Sequence, residues 1–118
     1  MKLTDAEAAE VVAECIAALE WQVTEVIANP NSNDIEIADL IAALTPRCAP
    51  MQRVIEAMKH GDGYQAMREI VTPAGAKIVL TSTTCMSIAG SLAMWGFPQQ
   101  ADEITAAIER AEVAASGH

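Results

Sequence analysis

Twenty consecutive residues, 78–97, carry no charge in a chain whose net charge is −9. Such a stretch has two stable settings, a lipid bilayer or the interior of a helical bundle. It is long enough to span a hydrocarbon core. It also contains Thr81, Ser82, Thr83, Thr84, Ser87, Ser91 and two glycines, a hydroxyl density that transmembrane helices rarely carry. The expectation is therefore a central helix over about 74–95 that is surrounded by its neighbours and is the most buried element of a soluble fold. The competing possibility is a strand over 77–84, where β-branched residues are dense. No second segment reads as its partner, and a lone strand leaves its backbone groups unpaired.

A buried helix needs companions, and the rest of the chain supplies them. Thr4 and Glu7 form a capping box. Behind it Ala8, Val12, Cys15, Ile16, Leu19, Val23, Val26 and Ile27 recur at helical spacing over 5–28. Residues 29–33, Asn-Pro-Asn-Ser-Asn, stop that helix, because proline lacks a donor and asparagine favours turns. Asn33 and Glu36 then cap a short helix over 34–44, with Ile37, Leu40, Ile41 and Leu44 on one face. Pro50 suits a first helical turn, and Met51, Val54, Ile55 and Met58 follow as a stripe. Lys59, His60 and Gly61 end it. Asp62 and Gln65 cap a fourth short helix with Tyr64, Met67, Ile70 and Val71 inward. Thr72 and Pro73 open the central helix, and Gly96, Phe97 and Pro98 turn it. A last helix over 99–114 buries Ala101, Ile104, Ile108 and Ala111. The predicted fold is all-α, a compact bundle of five or six helices in a single domain over 1–118. The chain's 118 residues suffice for one core and not for two. Aromatic residues make up only 3%, so that core is built from small and aliphatic side chains.

Charge is unevenly spread. Residues 1–45 hold nine acids against Lys2, residues 46–101 hold three acids against five bases, and residues 102–118 hold four acids against Arg110. A strongly acidic small protein repels nucleic acid, which argues against direct nucleic-acid binding. It favours a protein partner with a basic surface, including one that ordinarily binds nucleic acid. Three widely spaced cysteines, Cys15, Cys48 and Cys85, contain no CxxC pair and do not suit a secreted disulfide scaffold. The first ten residues turn acidic without an apolar signal region. Together these predict free thiols and a cytoplasmic setting.

No constellation of catalytic residues is apparent. Cys85 has no histidine near it in sequence, and the only two, His60 and His118, sit at a predicted helix end and at the last position; a Cys–His dyad needs its base within hydrogen-bond reach. There is no HxxxH, no CxxC and no glycine-rich phosphate loop. The expectation is a non-enzymatic protein with no cofactor and no metal site. Lys77, Thr84 and Ser91, with Thr81 and Ser87 nearby, share a face of the central helix. They could line a polar groove, or bond back to the carbonyl one turn earlier as helical Ser and Thr commonly do.

The candidate contact surface lies on the first helix. At 100° per residue Glu7, Glu10, Glu14, Trp21 and Glu25 cluster on the arc opposite the apolar one. Trp21 there would leave a large ring in water, as interface tryptophans do. The predicted function is a protein-binding module, an adaptor or inhibitor that docks on a larger basic protein through this acidic face. Two alternatives are a self-associating structural or assembly factor of a phage or mobile element, as a homodimer for instance, and a small-molecule-binding bundle.

Overall fold

The computed structural model describes residues 2–28, 47–58 and 76–117. Among them are four helices and no strand: α1 (Asp5–Ala28), α2 (Ala49–Met58), α3 (Ala76–Met94) and α4 (Pro98–Ser116). The all-α class follows, and the β-branched run 77–84 is helical. The short helices expected over 34–44 and from about residue 62 to 71 lie outside the described residues, as does the expected stop at Lys59, His60 and Gly61.

Local chemistry accounts for the ends. The Thr4 backbone N–H donates to Glu7 Oε1 at 3.0 Å, and the Glu7 N–H donates to Thr4 Oγ1 at 3.1 Å. This is the reciprocal capping box that satisfies two otherwise free donors. At the end of α3 the Phe97 N–H reaches the Leu92 carbonyl at 2.8 Å and the Gly96 N–H reaches that of Ala93 at 3.2 Å. Those two bonds make a Schellman cap, whose left-handed position falls on Gly96 at φ 93°, a conformation open to glycine at little cost. Pro98 then begins α4, where its missing N–H is not needed.

Two contacts set the direction of packing. Gln22 meets Thr81 and Cys15 meets Cys85, so α1 and α3 are antiparallel. The tight turn at 95–97 sends α4 back along α3, parallel to α1. α1, α3 and α4 form a three-helix unit in which the α3–α4 hairpin is the most extensive contact, and α2 lies against α1 and α3. The core joins Val11, Val12, Cys15 and Leu19 of α1, Met51 and Val54 of α2, Ile88 and Leu92 of α3, and Ile104 and Ile108 of α4. The inward positions anticipated for α2 and α4 are buried, Met51, Val54 and Met58, with Ile55 partly covered, and Ala101, Ile104, Ile108 and Ala111; Pro50 and Ala107 are buried beside them.

Two expectations are corrected. α3 is not covered all round: Val79 is 54% exposed, Met86 57% and Met94 81%. Among the described residues it holds more buried positions than any other helix, as expected, but the described helices occupy one side of it only, and the opposite side, where Gly90 and Ala93 are also exposed, faces outward. On α1 the buried seam is rotated from the arc that hydrophobicity alone selects. Gln22 is fully buried, Val23 is partly covered and Ile27 is exposed. The cause is the partner helix, since Thr81 of α3 presents a hydroxyl to Gln22 Oε1 at 3.3 Å.

Candidate functional site

That rotation decides where the acidic arc of α1 comes to lie. Ala6, Ala9, Ala13 and Ala17 are exposed and face outward. Glu7, Glu14, Trp21 and Glu25 are half-buried, and Glu10 is exposed. The five residues share a side of the helix, as their spacing implies, but this side is a shoulder and not the surface opposite the core. It is the shoulder turned toward α2. Glu7 is the clearest case: its carboxylate closes the capping box and pairs with Arg53 of α2. Trp21 is half-buried, not a ring left in water.

A second surface was not evident from the sequence. Along α4, Ala107, Ala111 and Ala114 face the flank of α1 formed by Ile16, Leu19 and Val23, and the small side chains leave a groove of about 420 Å³ between the helices. Glu20 and Thr24 stand on its α1 side and Arg110 on its α4 side. A shallower depression formed by Ala106, Glu109, Val113 and Ala114 adjoins it around Arg110. Val113, 71% exposed, stands at the open end of α4. The only sequence signal for this groove is the alanine repeat of α4. That repeat cannot be read as a groove until α1 is known to lie alongside, from more than seventy residues away in the chain.

The electrostatics of the two helices are lopsided. α1 and α4 together carry ten acidic residues and a single base, Arg110, so the whole net charge of −9 resides on them and the rest of the chain is neutral overall. Of these acids Asp5, Glu10, Glu20, Asp102, Glu103, Glu109 and Glu112 are exposed. The groove is therefore an apolar trough between two helices of net negative charge, with one acid, Glu20, and one base, Arg110, among the residues that line it.

The hydroxyls of α3 divide in two. Thr84 donates to the Leu80 carbonyl and Ser87 to that of Thr83, both at 3.1 Å, the one-turn back-bonding of helical hydroxyls. Thr81 turns instead to Gln22. Gln22 Nε2 and Ser82 Oγ are buried and have no hydrogen-bond partner among the described residues. A polar groove along Thr84 and Ser87 is thus not what these hydroxyls build.

The three cysteines are free. Cys15 and Cys85 are buried in the core and Cys48 is half-buried against it. A hydrogen bond with Cys85, and then burial, hold the Cys15 thiol well above its ordinary pKa, which makes it a poor nucleophile at neutral pH. Among the described residues no group of three or more His, Cys, Asp or Glu side chains is arranged to hold a metal ion. No described helix is long and apolar enough to cross a membrane. Comparison with protein-family models, with curated proteins and with solved structures yields no match.

Proposed function

We propose that this chain is a non-enzymatic protein-binding module that receives a basic, amphipathic helical segment of a larger partner on its α1–α4 face. The observation that carries this reading is the coincidence of the groove with the charge: the trough lies between the two helices that hold the entire net charge. An amphipathic helix lays its apolar side into a hydrophobic groove and keeps its charged flanks at the rims. The groove follows α1 from Ile16 to Thr24 and α4 from Ala107 to Ala114, roughly 12 Å at the helical rise, which accommodates two to three turns of a guest helix. Lys and Arg on the guest's flanks would meet Glu20 on the α1 rim and Glu109 in the adjoining depression, and an acid on the guest would meet Arg110 on the α4 rim. The acids on the α2 shoulder, Glu10, Glu14 and Glu25, add long-range steering that speeds encounter, with Trp21 beside them as a contact at the edge. Glu7 contributes least, because its carboxylate already serves the α1 cap and Arg53. The same potential disfavours bare nucleic acid, and free thiols suit a reducing, cytoplasmic compartment.

The test compares the wild-type chain with a Glu20→Lys/Ala114→Arg double variant. Both positions are exposed, so the fold should persist. Proteins captured from the native host by the wild type are purified and titrated directly against both forms at several salt concentrations. The expected result is a partner whose affinity falls with salt and falls further, at least tenfold, with the double variant. A partner that binds both forms equally, or tight salt-sensitive binding of the wild type to bare duplex DNA, overturns the reading.

A further inference from the structure

Arg110 is the one base on the two helices that form the α1–α4 groove, and it borders both the groove and the shallower depression beside it. The positions three and four residues away from it on α4, where a helical ion pair forms, are Ala106, Ala107, Val113 and Ala114. None is an acid, although α4 carries four acids elsewhere. Glu20 lines the opposite rim, yet among the described residues Arg110 makes no ion pair. The exposed guanidinium is thus an unmatched cation beside a trough that is mostly apolar. Its level is also defined: Arg110 stands at the middle of the α4 stretch 107–114 and Glu20 at the middle of the α1 stretch 16–24.

We infer that Arg110 makes the groove selective for a basic amphipathic helix that carries one carboxylate at the middle of the flank facing α4, level with a Lys or Arg on the flank facing Glu20. The inference rests on the groove being a receptor for such a helix, and it adds the charge order that the guest must have. A guest with bases on both flanks sets a cation against Arg110, and like charges across a contact both cost affinity and reject the partner. A carboxylate there is matched instead, since the planar guanidinium donates two parallel N–H···O bonds to it. The two rim charges also fix direction. Reversing a helix that lies with its apolar side down exchanges its flanks, so Glu20 and Arg110 accept such a guest one way round only. The surrounding acids still attract the guest's remaining bases, and Arg110 decides which of the basic helices they attract is retained.

The test titrates the full-length protein with three stapled helical peptides of about 12 residues, roughly 18 Å long at the helical rise, at about 0.15 M salt to screen distant charges. All three have leucines on one face and lysines on both flanks. The first carries a glutamate at the middle of one flank, the second a glutamine there, and the third the same glutamate moved one turn toward an end. The wild type should bind the first about threefold to fivefold more tightly than the others, the range of one exposed ion pair. Net charge alone predicts the opposite order, because the glutamine peptide is the more basic. Arg110→Gln should reverse the preference to favour the glutamine peptide and leave the melting temperature unchanged, and Arg110→Glu should bind the glutamine peptide more tightly than the wild type does. Glu20→Lys/Ala114→Arg should weaken all three and so locate them in the groove. A wild type that favours the glutamine peptide or binds all three equally overturns the inference and leaves the receptor reading standing, as does an order that Arg110→Gln does not change. No binding of any peptide up to about 1 mM, the scale of weak complexes, overturns the inference and the receptor reading together.

Discussion

Gln22 offers the sharpest check on the packing of α1 against α3. Its side chain is fully buried, its Oε1 accepts one bond from Thr81, and its Nε2 has no partner among the described residues. Gln22→Met preserves length and flexibility while it removes the amide. The change deletes a hydrogen bond worth about 1 kcal/mol net. Thr81 can then donate to the carbonyl one turn earlier, as Thr84 does to Leu80, which recovers part of the loss. In return the buried, unpaired amide N–H disappears, and such a group costs about 1–3 kcal/mol. The balance is a stabilisation of about 1 kcal/mol. With an unfolding entropy of about 2.1 cal/mol/K per residue, a chain of this size gains roughly 4 °C in melting temperature. Gln22→Ala supplies the contrast: it leaves a cavity and should destabilise by about 2 kcal/mol or more. The assay is thermal and urea unfolding followed by circular dichroism at 222 nm, roughly the helical minimum, on all three forms. If Gln22→Met is destabilised as much as Gln22→Ala, the amide is fully satisfied in the native state and the proposed geometry of the α1–α3 seam is wrong.

Three further outcomes follow from the same contacts. Ile88→Asp should abolish the cooperative helical transition, because Ile88 is buried where α3 enters the core and an unpaired buried carboxylate costs several kcal/mol or more; a folded, helical variant would refute this. Thr4→Ala should lower stability by about 1 kcal/mol through loss of the capping box, and Thr4→Ser should restore it; equal melting curves for all three forms would show that the cap is idle. Cys15 should make the protein sensitive to alkali. Its folded pKa is raised, first by the hydrogen bond with Cys85 and then by burial, so the native state keeps a proton that the unfolded chain releases. That contribution is complete below the unfolded thiol pKa of about 8.5 and is lost as pH rises from there toward the folded value. Denaturation midpoints should therefore fall through this range in the wild type and less steeply in Cys15→Ser; parallel curves would refute the assignment.

The sequence by itself determined what is local. The capping pair at Thr4 and Glu7, the stripes of α2 and α4 and the glycine–phenylalanine–proline turn after α3 each depend on residues within a few positions of one another, and all appear where spacing places them. Helical periodicity also grouped Glu7, Glu10, Glu14, Trp21 and Glu25 on one side of α1. Tertiary structure decided how far each helix turned about its own axis and which helices became neighbours. Gln22 reads as a surface residue until Thr81, fifty-nine positions away, provides a partner, and that rotation moves Trp21 and the four acids onto a shoulder, where all but Glu10 are half-buried. The uncharged run of α3 reads as surrounded, yet only three other helices are described and they occupy one side of it. The groove and the charge concentration around it exist because α1 and α4 lie side by side. Periodicity specifies which residues share a face; it carries no term for the partner that face will meet, and the energy that makes that choice comes from contacts between segments far apart in the chain.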